Sequence, residues 1–339
     1  MTDGHGDDIY QYSHIQLNFS SNVYGHFEHR GLFAYLTGRL EAVKNYPEPT
    51  PQRAEKAVAT ALGLHPRQVM VTNGATEGIY LVSQTFRCRS SAIVIPTFAE
   101  YADACRLHGH TTVFINNLAD IPQTTAQMVW LCNPNNPTGA VHDKDSLLAC
   151  ISQHPQTLFV IDASYASFTQ EPLITPTEAV SLPNLIMLHS MTKAFSIPGL
   201  RLGYITANEG LLDNVRRHRM PWSVNTLAQE ACCYLLAHKD DYHLPIATLL
   251  TERERIGKAL AATGVVQVYP SHTHILLCRL RTGKASDLKE RLINRYGILI
   301  RDASNFKGLD DSHFRIAVQT PEENERLLTS IIDILSQHP

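Results

Sequence analysis

Seven short apolar runs within residues 68–207 constrain the fold of this chain more than any other feature. The runs are QVMVT, AIVIP, TTVFI, MVWLC, TLFVID, LIMLH and GYITA. Each is apolar almost throughout, instead of alternating apolar with polar residues, and helix-like stretches separate one run from the next. Strands of this composition are buried on both faces, as in a mostly parallel sheet between helices. The sequence therefore predicts an α/β fold with a layered large domain.

The C-terminal part of the chain predicts a second, smaller α+β domain. A charged helical stretch, LLTERERIGKALAAT, leads into the predicted strands THILLCRL, GILIRD and HFRIAVQ. ASDLKERLINRY predicts a helix between the first two strands, and Thr320 and Pro321 are expected to cap and begin a closing helix. We expect an N-terminal arm over residues 1–45 that packs with the small domain, a large domain over 46–237 and a small domain over 238–339.

Composition and charge narrow the classes of partner. The net charge is −3, 18% of the residues are charged, and the basic residues form no long block that would attract nucleic acid or a membrane surface. No 18-residue apolar run exists, and the acidic start MTDGHGDDIY lacks the basic-then-apolar order of a signal peptide. We therefore expect a cytoplasmic protein whose partners are small molecules and copies of itself.

The sequence predicts no metal or nucleotide site. The pairs His108/His110 and His272/His274 each lie in or beside a predicted strand, without a third ligand at an informative spacing. The chain also lacks the glycine-rich patterns G-x-x-x-x-G-K-[ST] and G-x-G-x-x-G that bind nucleotides. The ends of the predicted strands offer better candidates for a functional site.

The first candidate is a strand-to-helix turn in VTNGATEG. The predicted strand ends at Thr72, Gly74 lies in the turn, and the helix begins near Ala75. Backbone N–H groups of Ala75 and Thr76 can point at one anion, aided by the positive end of the helix dipole. A phosphate would fit there, and the alternative is a turn without a ligand.

Two further strand ends have polar groups that suit an aromatic cation. The loop LCNPNNPTG either forms a rigid turn or offers the amide of Asn136 to a ring oxygen or a carboxylate. The run LFVID ends at Asp162, whose carboxylate is costly to bury unless it meets a cation or caps a helix. Tyr165 follows three residues later. A pyridinium N–H is one cation that would pair with Asp162.

A lysine follows the next apolar run, in LHSMTKAFSIPGLRLGYI. Lys193 lies beside Ser190 and Thr192, and Arg201 follows eight residues later. An amine at the end of a buried strand suits Schiff-base chemistry, whereas a lone lysine usually extends its stem to reach solvent. The two hydroxyl groups and the guanidinium would suit a phosphate monoester. The accumulation of such groups at strand ends favours one common site.

Together, NPNNPTG, DASY and SMTKAFSIPGLRLGY resemble fold-type I pyridoxal-phosphate enzymes, in particular the class I/II aminotransferase group. The resemblance covers most of the chain in order and spacing. It implies that the cofactor is pyridoxal 5′-phosphate (PLP), that Lys193 binds it covalently and that Asp162 pairs with the pyridinium nitrogen. It also implies that Asn136 and Tyr165 hold the phenolic oxygen of the ring. Lys193, Asp162 and Tyr165 are then the expected catalytic residues.

The resemblance extends to the rest of the cofactor site. Phe98, in PTFAEY, matches the aromatic residue that stacks on the pyridine ring. The residues that match the binding site of the cofactor's phosphate are Gly74, Ala75, Thr76, Ser190, Thr192 and Arg201. Tyr46, in NYPEP, resembles a tyrosine that reaches this phosphate from a neighbouring subunit. A homodimer with shared active sites is therefore expected.

Two arginines resemble substrate-binding residues of the same group. Arg315, in HFRIAV, matches the arginine that binds the α-carboxylate, and Arg301, in GILIRD, is expected close by. Because a planar guanidinium binds carboxylate or phosphate through two hydrogen bonds, two arginines suggest a substrate with more than one negative charge. The alternative for each arginine is a surface ion pair.

Within the group, the chain is similar to two families, the L-threonine-O-3-phosphate decarboxylases of the cobalamin pathway and the histidinol-phosphate aminotransferases. HGDDIY, LNFSSN, FAEY, MPWSVN and GILIRDASNFKGLDDSHFRIAV favour the decarboxylases. The residues that this match places around a phosphorylated amino-acid substrate are His5, Gly6, Asn22, Asn136, Arg301 and Arg315. Two departures concern substrate geometry: VYGH follows Asn22 where the family has a Pro-Leu-Gly turn, and Ala163 follows Asp162 where it has a glutamate.

The expected reaction is PLP-dependent decarboxylation of O-phospho-L-threonine to (R)-1-amino-2-propanol O-phosphate in cobalamin biosynthesis. The alternative is transamination by a histidinol-phosphate or related amino-acid aminotransferase, since the same cofactor residues serve both reactions. A non-enzymatic regulator with this fold is disfavoured, because Lys193, Asp162 and Arg315 are present and no basic patch or DNA-binding helix pair precedes the fold. The placement of the substrate's anions decides which bond to Cα breaks.

Overall fold

The computed structural model describes residues 8–336, whose helices and strands form a large sheet, a small sheet and a two-stranded pairing. The strands, in chain order, are β1 (Leu17–Asn18), β2 (Val69–Thr72), β3 (Ser90–Val94), β4 (Thr111–Ile115), β5 (Met128–Cys132), β6 (Leu158–Asp162), β7 (Leu185–Ser190), β8 (Gly203–Ala207), β9 (Val266–Val268), β10 (Ile275–Leu280), β11 (Ile298–Leu299), β12 (Arg301–Asp302) and β13 (His313–Ala317).

The α-helices are α1 (Arg30–Thr37), α2 (Gln52–Leu62), α3 (Gly74–Thr85), α4 (Glu100–Leu107), α5 (Lys144–Gln153), α6 (Pro176–Ser181), α7 (Met191–Ala194), α8 (Glu209–Arg216), α9 (Thr226–Ala237), α10 (Ile246–Ala262), α11 (Ala285–Tyr296) and α12 (Pro321–Ser336). Short 3₁₀ helices span Ile9–Gln11, Leu40–Lys44, Pro66–Gln68, Leu118–Gln123, Ala166–Phe168, Pro198–Leu200 and Lys239–Asp241.

The large sheet contains seven strands in the order β2-β8-β7-β6-β5-β3-β4. Neighbouring strands are parallel except β8, which runs antiparallel to both β2 and β7. Each of the seven predicted apolar runs forms one of these strands. The predicted α/β fold with a mostly parallel sheet is therefore confirmed.

The central strands are buried on both faces, which explains their continuous apolar runs. In β6, Val160 packs into the same hydrophobic cluster as Leu188, whereas Phe159 and Ile161 pack into a separate cluster on the other face. Complete burial of a side chain of this size contributes about 1.5–3 kcal/mol to folding. A polar residue at any of these positions would lose that contribution on one face or the other.

The edge strand β4 is an exception to this pattern. The prediction that TTVFI is buried on both faces is wrong, because β4 pairs with β3 and has no neighbour on its other side among residues 8–336. Val113 is 40% exposed and Phe114 is 37% exposed. Part of the Phe114 ring is covered by Lys307, whose Nζ lies 5.2 Å from the ring centre.

The carboxyl ends of β5, β6 and β7 meet at one edge of the large sheet. The last residues of these strands are Cys132, Asp162 and Ser190, and Cys132 and Asp162 are direct partners in the strand register. Ligands of open α/β sheets bind at edges of this kind. The candidate residues after these strands are therefore brought together by strand pairing alone.

The small sheet contains four antiparallel strands in the order β12-β13-β10-β9. THILLCRL and HFRIAVQ form β10 and β13, and Thr320 caps α12 by accepting a hydrogen bond from the Glu323 N–H at 3.3 Å. GILIRD is divided at Ile300, because β11 pairs with β1 whereas β12 pairs with β13. The edge strand β9 is only three residues long and partly exposed, so its sequence gives little signal.

The N-terminal segment contacts two parts of the molecule. β1 pairs in parallel with β11, and Asp8 forms an ion pair with Lys289 of α11 at 2.5 Å. Leu32 of α1 packs into the same cluster as Ala228 of α9. The domain boundaries drawn from the sequence stay predictions. Among the helices of residues 8–336, none is both long enough and apolar enough to cross a membrane.

Candidate active site

A cavity of about 230 Å³ lies at the carboxyl ends of β5, β6 and β7 and is closed on another side by β12 and β13. The predicted residues that line it are Asn22, Ala75, Thr76, Phe98, Asn136, Asp162, Tyr165, Ser190, Thr192, Lys193, Arg201, Arg301 and Arg315. Side chains from the N-terminal segment, the large sheet and the small sheet therefore meet at one place.

The remaining predicted residues do not line this cavity. Gly74 lies behind it, with its backbone against Arg201. Tyr46 is 85% exposed, and its ring centre lies 5.4 Å from that of Trp222. His5 and Gly6 lie outside the described residues. Within one chain, Tyr46 is therefore not a cavity residue.

Asp162 is buried at the end of β6, and both of its oxygens accept hydrogen bonds. The hydroxyl of Tyr101 donates to Oδ2 at 2.7 Å, and the backbone N–H of Ser164 donates to Oδ1 at 2.9 Å. Burial raises the pKa of Asp162, and these hydrogen bonds and the charge of Lys193 offset part of that increase. A cation entering the cavity would stabilise the carboxylate further. The 3₁₀ helix after β6 begins at Ala166, so Asp162 caps no helix.

Asn22 links Lys193 to Tyr165. The Lys193 amine donates a hydrogen bond to Asn22 Oδ1, and Asn22 Nδ2 donates to the Tyr165 hydroxyl. The amine therefore lies in the cavity and does not extend to solvent, which was the alternative for a lone lysine. Burial raises the pKa of Tyr165 above the ordinary value for a phenol, so its hydroxyl stays protonated at neutral pH.

The first turn of α3 and the segment after β7 form a wall of the cavity whose groups suit an anion. Gly74 has a φ of +77°, and a Cβ atom on it would lie 2.6 Å from Arg201 Nη2. Glycine therefore allows the Arg201 guanidinium to lie against the first turn of α3, which contains Ala75 and Thr76. Thr192 Oγ1 is buried and has no hydrogen-bond partner among the described residues. A phosphate at this wall would meet the guanidinium and supply an acceptor for the Thr192 hydroxyl.

The loop NPNNPTG is a rigid turn that also orients an arginine. The Asn135 backbone N–H donates to the Ala140 carbonyl at 2.8 Å, and Asn135 Nδ2 donates to the Pro96 carbonyl at 2.9 Å. Asn136 Oδ1 accepts a hydrogen bond from Arg315 Nη1 at 2.6 Å. The loop is therefore fixed by its own contacts and, in addition, holds the Asn136 amide in the cavity.

Both predicted substrate arginines are buried. Arg315 is 2% exposed, and its Nη2 donates to the Ser20 carbonyl. Arg301 is 7% exposed, its Nη2 donates to Asn305 Oδ1 at 2.7 Å, and its Cζ lies 5.5 Å from the Phe306 ring centre. Burial lowers the pKa of Arg301, although an arginine stays charged at neutral pH. The alternative of two surface ion pairs is therefore wrong.

The sequence does not single out several residues of the cavity wall. They are Ser20, Ile79, Ala99, Tyr101, Cys132, Ser164, Asn305 and Phe306. The sequence does contain evidence for Tyr101. It lies in the same PTFAEY segment as Phe98, and a buried carboxylate requires hydrogen-bond donors. No sequence pattern points to Asn305 or Phe306, because their contact with Arg301 depends on the turn after β12.

The cavity fits PLP as the resemblance implies. The Lys193 amine is a nucleophile for an aldehyde, and the buried Asp162 carboxylate suits a pyridinium N–H. The Thr192 hydroxyl meets no acceptor in the described part of the chain, and a phosphate would supply one. Phe98 adds an apolar ring to the wall, 5.9 Å from the ring centre of Tyr101.

The family model of aminotransferase class I and II matches residues 14–331 of this chain. A threonine-phosphate decarboxylase from Salmonella typhimurium is 30% identical over 335 residues, which cover 94% of this chain and 91% of that protein. A histidinol-phosphate aminotransferase from Caldanaerobacter subterraneus subsp. tengcongensis is 30% identical over 307 residues, which cover 87% of this chain and 85% of that protein. The crystal structure of L-threonine-O-3-phosphate decarboxylase from Porphyromonas gingivalis has a TM-score of 0.91 and 38% identity, covering 94% of this chain and 99% of that one.

The similarity to these enzymes covers the part of the chain that forms the cavity. The matched region contains both sheets and every residue of the cavity wall. The cofactor is PLP, and the cavity contains an amine, a buried carboxylate and a guanidinium whose chemistry suits it. The chain belongs to the class I and II aminotransferase family of PLP-dependent enzymes.

Proposed function

We propose that this chain decarboxylates O-phospho-L-threonine to (R)-1-amino-2-propanol O-phosphate, a cytoplasmic step in cobalamin biosynthesis. The observation behind the proposal is the position of two buried arginines, Arg301 and Arg315, in the wall of the cavity that also contains Lys193 and Asp162. The similarity to the decarboxylases from Porphyromonas gingivalis and Salmonella typhimurium supports the same reaction.

The charges of the substrate match those of the cavity. O-phospho-L-threonine carries a carboxylate and a phosphate, and each can accept two hydrogen bonds from a guanidinium. In our proposal Arg315 binds the carboxylate and Arg301 binds the phosphate. Asn22, which already contacts the Lys193 amine, completes the described part of the substrate site. The match to the decarboxylase family adds His5 and Gly6 to it.

The remaining roles follow from the positions of the side chains. PLP supplies the electron sink for the charge left when a bond to Cα breaks. In our proposal Asp162 keeps the proton on the ring nitrogen, and Asn136 and Tyr165 bind the phenolic oxygen. Phe98, in the cavity wall, would pack against the face of the pyridine ring. The Lys193 amine holds the proton that is returned to Cα after CO₂ has left.

The choice between decarboxylation and transamination depends on orientation. The bond that breaks is the one held perpendicular to the plane of the pyridine ring. Asn136 and the Ser20 carbonyl fix the Arg315 guanidinium from two sides, so a carboxylate bound to it would be held in one direction. Decarboxylation therefore requires Arg315 to act on the bond between Cα and the carboxylate.

The alternative function is that of a histidinol-phosphate aminotransferase. Its support is the 30% identity with the enzyme from Caldanaerobacter subterraneus subsp. tengcongensis. Arg301 could bind the phosphate of that substrate equally well. In that reaction the Cα–H bond would be perpendicular to the ring, and the Lys193 amine would take the proton from Cα.

The test of the proposed function supplies purified, PLP-loaded protein with O-phospho-L-threonine and measures CO₂. We expect CO₂ release that needs no keto acid and that is absent in Lys193→Ala. No CO₂, together with turnover of histidinol phosphate and 2-oxoglutarate, would overturn the proposal in favour of the aminotransferase.

We also propose a homodimer in which Tyr46 enters the cavity of the partner subunit. Tyr46 is exposed and packs beside Trp222, in keeping with a residue that completes a site elsewhere. Exposed apolar groups of this kind mark protein interfaces. The large apolar side chains exposed in residues 33–46 and 220–222 are Phe33, Leu40, Val43, Tyr46, Met220 and Trp222.

Mixing two defective variants tests the shared sites. Lys193→Ala removes the amine from its own site, whereas Tyr46→Ala removes the tyrosine from the site of the partner. A mixed dimer then has one site with both defects and one intact site, so random mixing restores about a quarter of the wild-type activity. No recovery after mixing, or a mass near the 37.8 kDa of one chain in light scattering, would contradict the dimer.

A further inference from the structure

The segment ASNFKGL, residues 303–309, leaves β12 beside the mouth of the cavity and reaches the large sheet. At its far end, Gly308 comes so close to Ile95 that a Cβ atom on the glycine would lie 3.3 Å from Ile95 Cδ1. Between that contact and β12, Asn305 is exposed at the mouth of the cavity, whereas Phe306 is buried. The segment is therefore anchored at both ends.

Arg301 is held by two residues of this segment. Its Nη2 donates to Asn305 Oδ1 at 2.7 Å, and its Cζ lies 5.5 Å from the Phe306 ring centre. Because a guanidinium only donates, Oδ1 must face Arg301, and the Asn305 amide presents its Nδ2 donors on the opposite side. A hydrogen bond and an aromatic contact together fix the direction of the guanidinium.

The acceptor that Asn305 offers is neutral. A carboxylate at the same position would form an ion pair with Arg301 and would compete with an anionic substrate for it. Asp302 accepts a hydrogen bond from the Ser304 N–H at 2.9 Å, and the charges of Asp302 and Asp8 already raise the pKa of Arg301 against the effect of burial. The amide of Asn305 therefore orients Arg301 without adding a further negative charge beside it.

We propose that Asn305 is a positioning residue that orients Arg301 toward the phosphate of the substrate and thereby sets the preference for phosphorylated over unphosphorylated amino acids. The inference rests on the proposed function for its choice of substrate. It requires only that the substrate carries a phosphate, a condition that O-phospho-L-threonine and histidinol phosphate both meet.

The test compares binding of O-phospho-L-threonine and L-threonine to the PLP-loaded protein, by cofactor absorbance and by calorimetry. Asn305→Ala should lower the affinity for O-phospho-L-threonine about tenfold, which is the loss expected for one hydrogen bond to a charged group. The same variant should change the affinity for L-threonine by less than about twofold. Asn305→Asp should lower the affinity for O-phospho-L-threonine further, because the carboxylate of the introduced aspartate would pair with Arg301. Ser304→Ala, in the same segment but outside the cavity wall, should match the wild type with both ligands.

A double-variant cycle separates positioning from a general structural effect. In an Arg301→Ala background, Asn305→Ala should cause no further loss of affinity, since Asn305 acts through the guanidinium. Equal weakening of both ligands, or losses that add in the double variant, would overturn the proposal. Wild-type affinity for the phosphorylated ligand in both Asn305→Ala and Asn305→Asp would overturn it as well.

The proposed function can fail independently of this inference. If the wild type releases no CO₂ from O-phospho-L-threonine but transaminates histidinol phosphate, the same variants are compared with histidinol phosphate and histidinol. The role of Asn305 is then decided by the preference for the phosphate, whichever bond to Cα breaks.

Discussion

Tyr101 donates a hydrogen bond to Oδ2 of Asp162 across 2.7 Å, although 61 residues separate the two in the chain. Burial raises the pKa of Tyr101 well above that of a free phenol, so the hydroxyl remains a donor at neutral pH. With the Ser164 N–H on the other oxygen, Tyr101 fixes the carboxylate that we assign to the pyridine nitrogen.

Removing the Tyr101 hydroxyl should weaken cofactor binding. We expect Tyr101→Phe to raise the dissociation constant of PLP about tenfold, because one hydrogen bond to a charged group is lost. Tyr80→Phe is the matched control, since the Tyr80 hydroxyl donates to Glu100 at 2.6 Å outside the cavity wall. Equal PLP affinities of the two variants in a fluorescence titration would contradict the role of Tyr101.

Asp162→Asn should stabilise the cofactor-free protein but impair catalysis by the PLP-loaded protein. Burial raises the pKa of Asp162 in the folded, cofactor-free protein. Relative to the unfolded chain, Asp162 therefore favours the folded state at low pH. As the pH rises from the pKa of Asp162 in the unfolded chain to its pKa in the folded protein, the carboxyl group destabilises the folded state increasingly. At alkaline pH, we expect the variant to raise the melting temperature of the cofactor-free protein by roughly 1–3 °C. That gain should shrink as the pH falls.

With PLP bound, the same variant would lose the anion that we assign to the ring nitrogen. We expect kcat to fall about 100-fold or more, the usual cost of removing one electrostatic contact to the developing charge. Differential scanning calorimetry over a pH series and steady-state kinetics measure the two effects. A stability gain that is independent of pH, or an unchanged kcat, would disagree with the proposed role of Asp162.

Gly74→Ala should weaken PLP binding through Arg201. The added Cβ would lie 2.6 Å from Arg201 Nη2 and would push the guanidinium away from the phosphate site that we propose, so we expect an affinity loss of about tenfold or more. Gly63→Ala is the matched control, because Gly63 also has a positive φ, of +67°, but a Cβ there meets nothing within 4 Å. Both variants lose stability from backbone strain, and only Gly74→Ala should change PLP affinity.

Lys289→Met should impair substrate binding by loosening the N-terminal segment. Lys289 is buried and forms the ion pair with Asp8 at 2.5 Å, and Asp8 lies near enough to Arg301 to affect its pKa. We expect KM to rise about fivefold or more, with little change in PLP affinity. Lys284→Met is the control, because the ion pair of Lys284 with Asp311 is exposed. An equal KM in both variants would refute the anchoring role.

The sequence was sufficient for the large sheet and for the common position of the strand-end residues. Strands that are buried on both faces must be apolar throughout, so their runs are visible without any structure. Asp162 ends β6 and Lys193 follows β7, and the pairing of these two parallel strands brings both residues to the same edge of the sheet. The predicted fold and the predicted position of the cavity both follow from that rule.

Contacts between distant segments were beyond the reach of sequence patterns. Asn22 meets Lys193 and Tyr165 only because β1 pairs with β11 and carries the N-terminal segment to the cavity. VYGH does not displace Asn22 from the cavity, and Ala163, the second departure from the decarboxylase pattern, is buried in a hydrophobic cluster. Such positions depend on packing between segments, which neither periodicity nor spacing encodes.

One measurement tests decarboxylation most directly: the fate of two atoms in O-phospho-L-threonine labelled with ¹³C at the carboxyl carbon and with deuterium at Cα. If Arg315 directs loss of the carboxylate, NMR will show the ¹³C in CO₂ and bicarbonate, and the deuterium will remain on the amine-bearing carbon of the product. Retention of the ¹³C in the product, with loss of deuterium to solvent, would show cleavage of the Cα–H bond and contradict the proposed function.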